Sequence, residues 1–268
     1  LCLGVLAGGG KLAIAQRVAS IDVQHYVAQV QISPSTQNLE ATVEVRFLAQ
    51  EDGSRYVNFQ LHNDLQLNEV KDENGAPVQF SRSYEDFTVR LALDEALRRG
   101  QERTVRFEYV GRLTGREESP VWGITFAALE ETLSYLMYPA RWLPVSGYTT
   151  DRFTMDLRVT VPQGYRVLAS GVATSEPAPD GQVQYKFEYT QPSFPASLAV
   201  VRDEGVPVEA EGIQTTVYFR PEHKELATAF GTEVGRVMAF LTKLYGLPPH
   251  RDLVVVETGP GAPNGYAA

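Results

Sequence analysis

Four histidines, at positions 25, 62, 223 and 250, are the first places to look for chemistry in this sequence. None stands four residues from another, so no helix carries an H-E-x-x-H pair and no two imidazoles share a zinc-binding face. His223, followed by Lys224 and Glu225, falls where a helix begins; a lone histidine there is far more often a solvated side chain than a ligand. His25 and His62 lie in strand-like text with no partner that spacing can nominate. Ser170-Gly171 lacks the G-x-S-x-G elbow of a serine nucleophile. The carboxylate pairs Glu117-Glu118 and Glu130-Glu131 sit in polar loop text and read as surface. Glu257 closes an apolar run, where a single carboxylate is usually a solvated strand end. Beyond it, Gly259-Pro260-Gly261 and Ala262-Pro263-Asn264-Gly265 have turn chemistry, and the glycines permit close approach of backbone to a ligand. These residues make no complete catalytic constellation. They describe a scaffold carrying one loop of interest.

The elements that must position that loop follow from pattern. From about residue 21, apolar residues fall mostly on alternate positions: Ile21, Val23, Tyr26, Ala28, Val30 and Ile32, then Leu39, Ala41, Val43, Val45 and Phe47. Half-buried strands give this alternation because successive side chains point to opposite faces. Further strands are expected over 56–61, 65–70, 87–93 and 103–109, with Glu73-Asn74-Gly75 as a hairpin-type turn before Val78. After an aromatic stretch (Trp122, Phe126, Tyr135, Tyr138, Trp142, Tyr148), read as core and interface packing, strands return at 152–162, 165–171, 183–190, 197–203 and 215–220. The period then changes. Leu226, Phe230, Val234, Val237, Leu241 and Leu244 recur at three and four, one apolar stripe down a helix. Pro221 suits its first turn, Gly246 its exit, and Pro248-Pro249 bars continuation. The run 252–257 reads as a short strand buried on both faces.

The fold class expected is mainly β. An antiparallel sandwich or saddle covers 20–211, and the β–α–β opening of a mixed domain covers 212–268, with the boundary near Gly212. Residues 1–19 are set apart. There a short apolar run and Ala13-Ile14-Ala15 before Gln16 resemble the tail of a secretory signal, which predicts export to periplasm or exterior; Lys11 inside the stretch favours the alternative of a frayed N-terminus. The run is too short to span a membrane. Cys2, the one cysteine, lies in it, so no internal disulfide or thiolate metal site is available. A net charge of −9, with Lys and Arg scattered, argues against a nucleic-acid surface. Hydrophobic residues at 43% and charged residues at 21% are ordinary for a globular chain.

Several stretches carry a family resemblance. Tyr26-x-Ala28-x-Val30-x-Ile32-x-Pro34 and Leu39-Glu40-Ala41-Thr42-Val43-Glu44-Val45 have the form "Y-x-L-x-L-x-I-x-P" then "L-x-G-x-V-x-I". Tyr109-Val110-Gly111 has the form "Y-x-G", and Ala140-Arg141-Trp142-Leu143-Pro144 the form "A-R-x-x-F-P". Phe153 to Pro162 follows "F-x-L-x-V-x-V-P", and Ser170-Gly171 falls at an "S-N-G" position. In this order, from about residue 20 onward, the chain resembles the N-terminal part of the aminopeptidase N-like zinc metallopeptidases, the gluzincin aminopeptidases. The resemblance implies a β domain followed by the start of a thermolysin-like α+β catalytic domain, stopping before the H-E-x-x-H zinc helix. It implies zinc in the full-length parent and none bound by this chain, with no catalytic or metal-binding residue here. It also implies a peptide substrate, and the remainder of the catalytic domain as partner. Gly261, Ala262, Pro263 and Asn264 stand at the G-A-M-E-N loop that lines the family's substrate cleft, and are the expected substrate-binding residues.

Two departures accompany the resemblance. Asn264 replaces the loop glutamate that holds a free amino group, and Ser134 stands where many members have a glutamine. The expected function is therefore scaffold plus one cleft loop of a zinc-dependent peptidase, inactive by itself. The alternative is a non-catalytic scaffold or binding module of the same fold. A third possibility, an exported β-sandwich that binds carbohydrate or protein, requires Trp122 and Trp142 to be exposed.

Overall fold

The computed structural model describes residues 18, 20–115, 123–147, 151–169, 172–193, 197–247 and 252–263. In chain order the first strands are β1 (Ile21–Ser33), β2 (Asn38–Ala49), β3 (Tyr56–Gln60), β4 (Leu65–Asp72), β5 (Gln79–Ser83), β6 (Thr88–Ala92) and β7 (Glu102–Arg112). Next come β8 (Ala127–Ala128), β9 (Leu133–Leu136), β10 (Phe153–Pro162), β11 (Arg166–Ala169), β12 (Val172–Ala178), β13 (Gln182–Ser193) and β14 (Leu198–Val201). The last elements are β15 (Val206–Ala210), β16 (Ile213–Tyr218), helix α1 (Ala227–Tyr245) and β17 (Asp252–Val256).

A seven-stranded sheet, ordered β12-β13-β10-β1-β2-β7-β4, is the main wall. The alternation read in the sequence is its pleat: Leu39, Ala41, Val43, Val45, Phe47 and Ala49 of β2 are buried, with Glu40, Glu44 and Arg46 on the other side. In β1 the alternation skips from Val23 to Tyr26, where a register shift between Val23 and His25 marks a bulge. Every ladder of this wall is antiparallel but β1–β10, which runs parallel. Two smaller sheets, β3-β6-β5 and β11-β14-β9-β8, share its core. Phe59 of β3 meets Phe107 and Phe47 of the wall edge-on, at 5.1 and 6.3 Å between ring centroids. Near the end of β7 the chain entering β4 passes close over Gly111: a Cβ there would lie 2.0 Å from the Asp64 carbonyl oxygen.

The sequence reading missed β5, β8, β9, β12 and β15. None is a long alternating run, and β12, with Pro177 in it, is an edge strand, where a missing N–H is tolerated. The turn at Glu73-Asn74-Gly75 folds back as expected, with Asp72 Oδ1 accepting the N–H groups of Asn74 and Ala76. Past the turn, Val78 N–H donates to Val70 O at 2.8 Å, and the chain then enters β5 in the neighbouring sheet.

The C-terminal elements form a third small sheet, β15-β16-β17. β15 and β16 are antiparallel, with Gly212 in the turn between them; β16 and β17 are parallel, joined by α1. This is the expected β–α–β unit, but the helix face differs from expectation. Ala227, Gly231 and Gly235 are the residues α1 buries. Their spacing of four makes a stripe of small side chains that lets the helix backbone approach β15 and β16 closely. Of the predicted stripe, Leu226, Phe230, Val237, Leu241 and Leu244 are exposed and Val234 is half-buried; Phe240, which lies outside that stripe, is exposed as well, by 60%. β17 likewise is an edge strand, not one buried on both faces; Val254 is 46% exposed. Among the described residues no helix is long and apolar enough to cross a membrane.

Candidate functional site

Because β16 and β17 run parallel, their C-terminal ends emerge side by side, and the segments that leave them meet. Such carboxyl ends are where open α/β sheets place their ligand-binding loops. Residues 219–223 leave β16 there, and the loop 257–263 leaves β17.

Glu257 carries the ladder one residue past β17, its N–H donating to Tyr218 O at 2.9 Å. Its carboxylate turns back: Oε2 accepts the Arg220 N–H at 2.9 Å, and Oε1 lies 2.6 Å from His223 Nδ1. The hydrogen bond to Glu257, and then that carboxylate's charge, raise the His223 pKa above the usual range. Neither side chain is therefore the isolated, solvated group the sequence reading took it for. Spacing could not link two residues 34 positions apart; the parallel crossover does.

Gly259 follows, buried over the Arg220 guanidinium. A Cβ at 259 would stand 2.5 Å from Arg220 Nη2, so any larger residue would push the guanidinium out of its place beneath the loop. The same Nη2 reaches Glu130 Oε2 at 3.2 Å. Farther along, Gly261 has φ +89°, a conformation that favours glycine, and its carbonyl accepts the Thr125 N–H at 2.7 Å. Ala262 N–H donates to Gly259 O at 3.2 Å, and its side chain meets a cluster that includes Ala128, Leu133, Tyr135 and Tyr218. Nothing local in the sequence marks Arg220 or Thr125, and Glu130, which reads there as one of a surface pair, is instead the partner of Arg220.

The structure thus places Gly261, Ala262 and Pro263 together on a loop tied to the β domain, while Asn264 lies outside the described residues. Gly261 C=O and Ala262 N–H are already bonded within the protein. The Gly261 N–H and Ala262 C=O have no partner among the described residues. Ser134 does not face the loop as a polar contact. It is fully buried, its hydroxyl donating to Glu130 O and accepting from Glu130 N, both at 2.9 Å. Beside it, burial and then the Glu130 charge raise the Tyr135 phenol above its ordinary 10.0.

The remaining candidates lie elsewhere. His25 sits 2.7 Å from Thr154 Oγ1 and 3.6 Å from Asp156 Oδ2, on the wall's outer face. His62 is buried, its Nδ1 accepting the Asp64 N–H at 2.8 Å. Trp142 is fully buried, which makes it core and not an exposed binding platform. Trp122, Ser170, Gly171, His250 and the Glu117-Glu118 pair lie outside the described residues. Among the described residues no three His, Cys, Asp or Glu side chains come together as a metal-holding group, so these residues do not fit a zinc site. The cavity beside Tyr218 and Arg220, about 10 Å³, has room for one water at most.

No family model matches the sequence, and no curated protein matches it either. The fold, however, has counterparts: its mainly β arrangement of antiparallel sheets matches the N-terminal domain fold of M1 zinc metallopeptidases. An M1 zinc metallopeptidase from Deinococcus radiodurans matches with a TM-score of 0.67 at 22% identity, over 88% of this chain and 56% of that one. A mutant M1 zinc metallopeptidase from the same organism, bound to a Tyr-Ser-Ala substrate, matches with the same values. A two-domain M1 zinc metallopeptidase mutant bound to L-arginine gives a TM-score of 0.64 at the same identity and coverage. The chain spans 56% of the length of these solved structures.

Proposed function

We propose that this chain is the N-terminal portion of a zinc-dependent, aminopeptidase-like peptidase, supplying a rigid wall and one substrate-cleft loop. The observation that carries this reading is the loop 257–263 itself, set at the carboxyl ends of parallel strands and fastened to the β domain at Thr125 and, through Arg220, at Glu130. Peptide hydrolysis by zinc-activated water belongs, in this reading, to residues that follow Ala268, and the 268-residue chain is inactive alone. Within the chain, Gly261 and Ala262 offer a backbone N–H and C=O to an extended peptide, and Pro263 and Asn264 continue the lining.

The outward stripe of α1 and the open edge of β17 support the same reading. A helix that packs glycines on its own sheet and leaves Phe240 and Leu244 bare is dressed for a second apolar layer. We assign that layer to the remainder of the catalytic domain. The division near Gly212 belongs to this proposal, with β15 pairing across it to β16. So does export, for which Ala13-Ile14-Ala15 before Gln16 is the support; N-terminal sequencing of the mature protein tests it.

A second reading, a scaffold or binding module of the same fold without catalysis, is favoured by one feature. Asn264 is uncharged where the resembling family holds an ammonium group with a carboxylate, and an amide forms no ion pair. The codons after Ala268 discriminate. An H-E-x-x-H helix within roughly the next hundred residues is expected of the peptidase; an open frame of that length without one leaves the scaffold.

A further inference from the structure

Three ties hold the 257–263 loop: the Glu257 carboxylate at its root, Arg220 with Glu130 beneath Gly259, and Thr125 N–H at Gly261. A guanidinium–carboxylate pair and a backbone hydrogen bond keep their character across the physiological pH range. The first tie does not, because it includes an imidazole. We propose that His223 and Glu257 form a clasp that positions this loop while the imidazole is protonated and loosens it when the proton leaves.

The geometry is specific. Glu257 has one oxygen on the Arg220 N–H and the other on His223 Nδ1, so its carboxylate bridges the two segments leaving the sheet. The carboxylate is largely covered, while His223 is half exposed and exchanges protons freely with solvent. The charged groups acting on the imidazole are Glu257 from the end of β17, and Glu222 and Glu225 from its own turn. All are negative. Lys224 lies in the same turn, and the nearest arginine, Arg220, presents its main-chain N–H to Glu257 and its guanidinium to Glu130. These neighbours favour the cation, and a charge-assisted bond is about twice as strong as a neutral one. A pKa raised in the folded chain means the clasp's contribution is complete below the ordinary histidine value of 6.5. It is lost as pH rises through the higher folded value. His223 is thus a positioning residue, acting on the loop through Glu257. Its consequence for a bound peptide rests on the peptidase reading; the clasp itself does not.

Heteronuclear NMR of the full 268-residue chain across pH tests it. The His223 ring is expected to titrate with a midpoint above 6.5. The amides of Thr258, Gly259, Gly261 and Thr125 are expected to shift with that same midpoint, and the loop amides to exchange with solvent several-fold faster above it. In Glu257→Gln the ring midpoint should fall toward the ordinary value, and the loop amides should cease to follow it. Loop amides that stay still through the wild-type His223 titration overturn the proposal without any variant, as does a midpoint unchanged by Glu257→Gln. A working clasp in a protein whose longer form cleaves no peptide sinks the functional reading alone. The reverse combination sinks only the clasp.

Discussion

Gly235 of α1 lies so close to Ala210 of β15 that a Cβ at 235 would stand 2.7 Å from the Ala210 Cβ and 2.8 Å from its carbonyl oxygen. One turn earlier, a Cβ on Gly231 would meet the Val208 side chain at 2.8 Å. In an open helix, glycine to alanine gains up to about 1 kcal/mol of helix propensity. Here the added methyl meets backbone and a stiff valine, and overpacking costs roughly 1–3 kcal/mol. The clash should win. Gly231→Ala and Gly235→Ala are each expected to lower the stability of the chain to denaturant, with unchanged helix content before unfolding. A gain in stability for either would show that the helix is free to lift off its sheet.

The outward face of α1 gives a second expectation. In the 268-residue chain, Phe240→Ser with Leu244→Ser should reduce self-association in sedimentation, while changing stability by no more than about 0.5 kcal/mol per exposed site. In a longer polypeptide whose remaining domain docks on this face, as proposed, the same pair should cost several kcal/mol, since deleting a buried Phe costs about 3–5. Indifference of the longer protein would mean that the remainder of the domain does not dock on α1.

His62 and Asp151 should pull the pH dependence of stability in opposite directions. Burial, with Arg141 and Arg82 adding, pushes the His62 pKa down from 6.5 to about 3. A lowered histidine contributes stability that is whole above 6.5 and is lost as pH falls toward the folded value. His62→Asn keeps an acceptor for the Asp64 N–H and removes the titration. Unfolding curves for that variant should lose less stability than wild type between neutral pH and about pH 4.

Asp151 accepts the N–H groups of Val23 and Arg152, each at 2.9 Å, yet burial, with Asp22 nearby, pushes its pKa up from 3.8 to about 6. A raised carboxyl contributes stability that is whole below 3.8 and lost as pH rises through about 6. Asp151→Asn should therefore flatten the decline between those values, at the cost of one backbone hydrogen bond at every pH. Parallel curves for wild type and variant would show that Asp151 is no strain on the ionised fold.

How much of this was legible in the residues depends on the range of the interaction that decides each part. The pleat of β1, β2, β7 and β10 is a local property, written as alternation, and it was read correctly. Which face of α1 meets the sheet is not local. Periodicity marked the large stripe, whereas the shape of β15 and β16 selects the small one, Ala227, Gly231 and Gly235. β17 has the composition of a buried strand and an edge position, because burial depends on neighbours, not on the strand's own residues. At the loop, family resemblance alone marks Gly261 to Asn264 as a set, and Asn264 lies outside the described residues; His223 and Glu257 each read locally as solvated side chains. Their union needs the parallel crossover, whose carboxyl ends could have been foreseen from the β–α–β order alone.

The direct test of the central claim sets two proteins side by side: the 268-residue chain, and the polypeptide extended by the codons that follow Ala268. Each is measured for bound zinc and for release of amino acids from short peptides. The account predicts one zinc per molecule and chelator-sensitive cleavage for the extended protein, and neither for the shorter chain. Cleavage or tight stoichiometric zinc in the shorter chain, or their absence from the extended one, would contradict it.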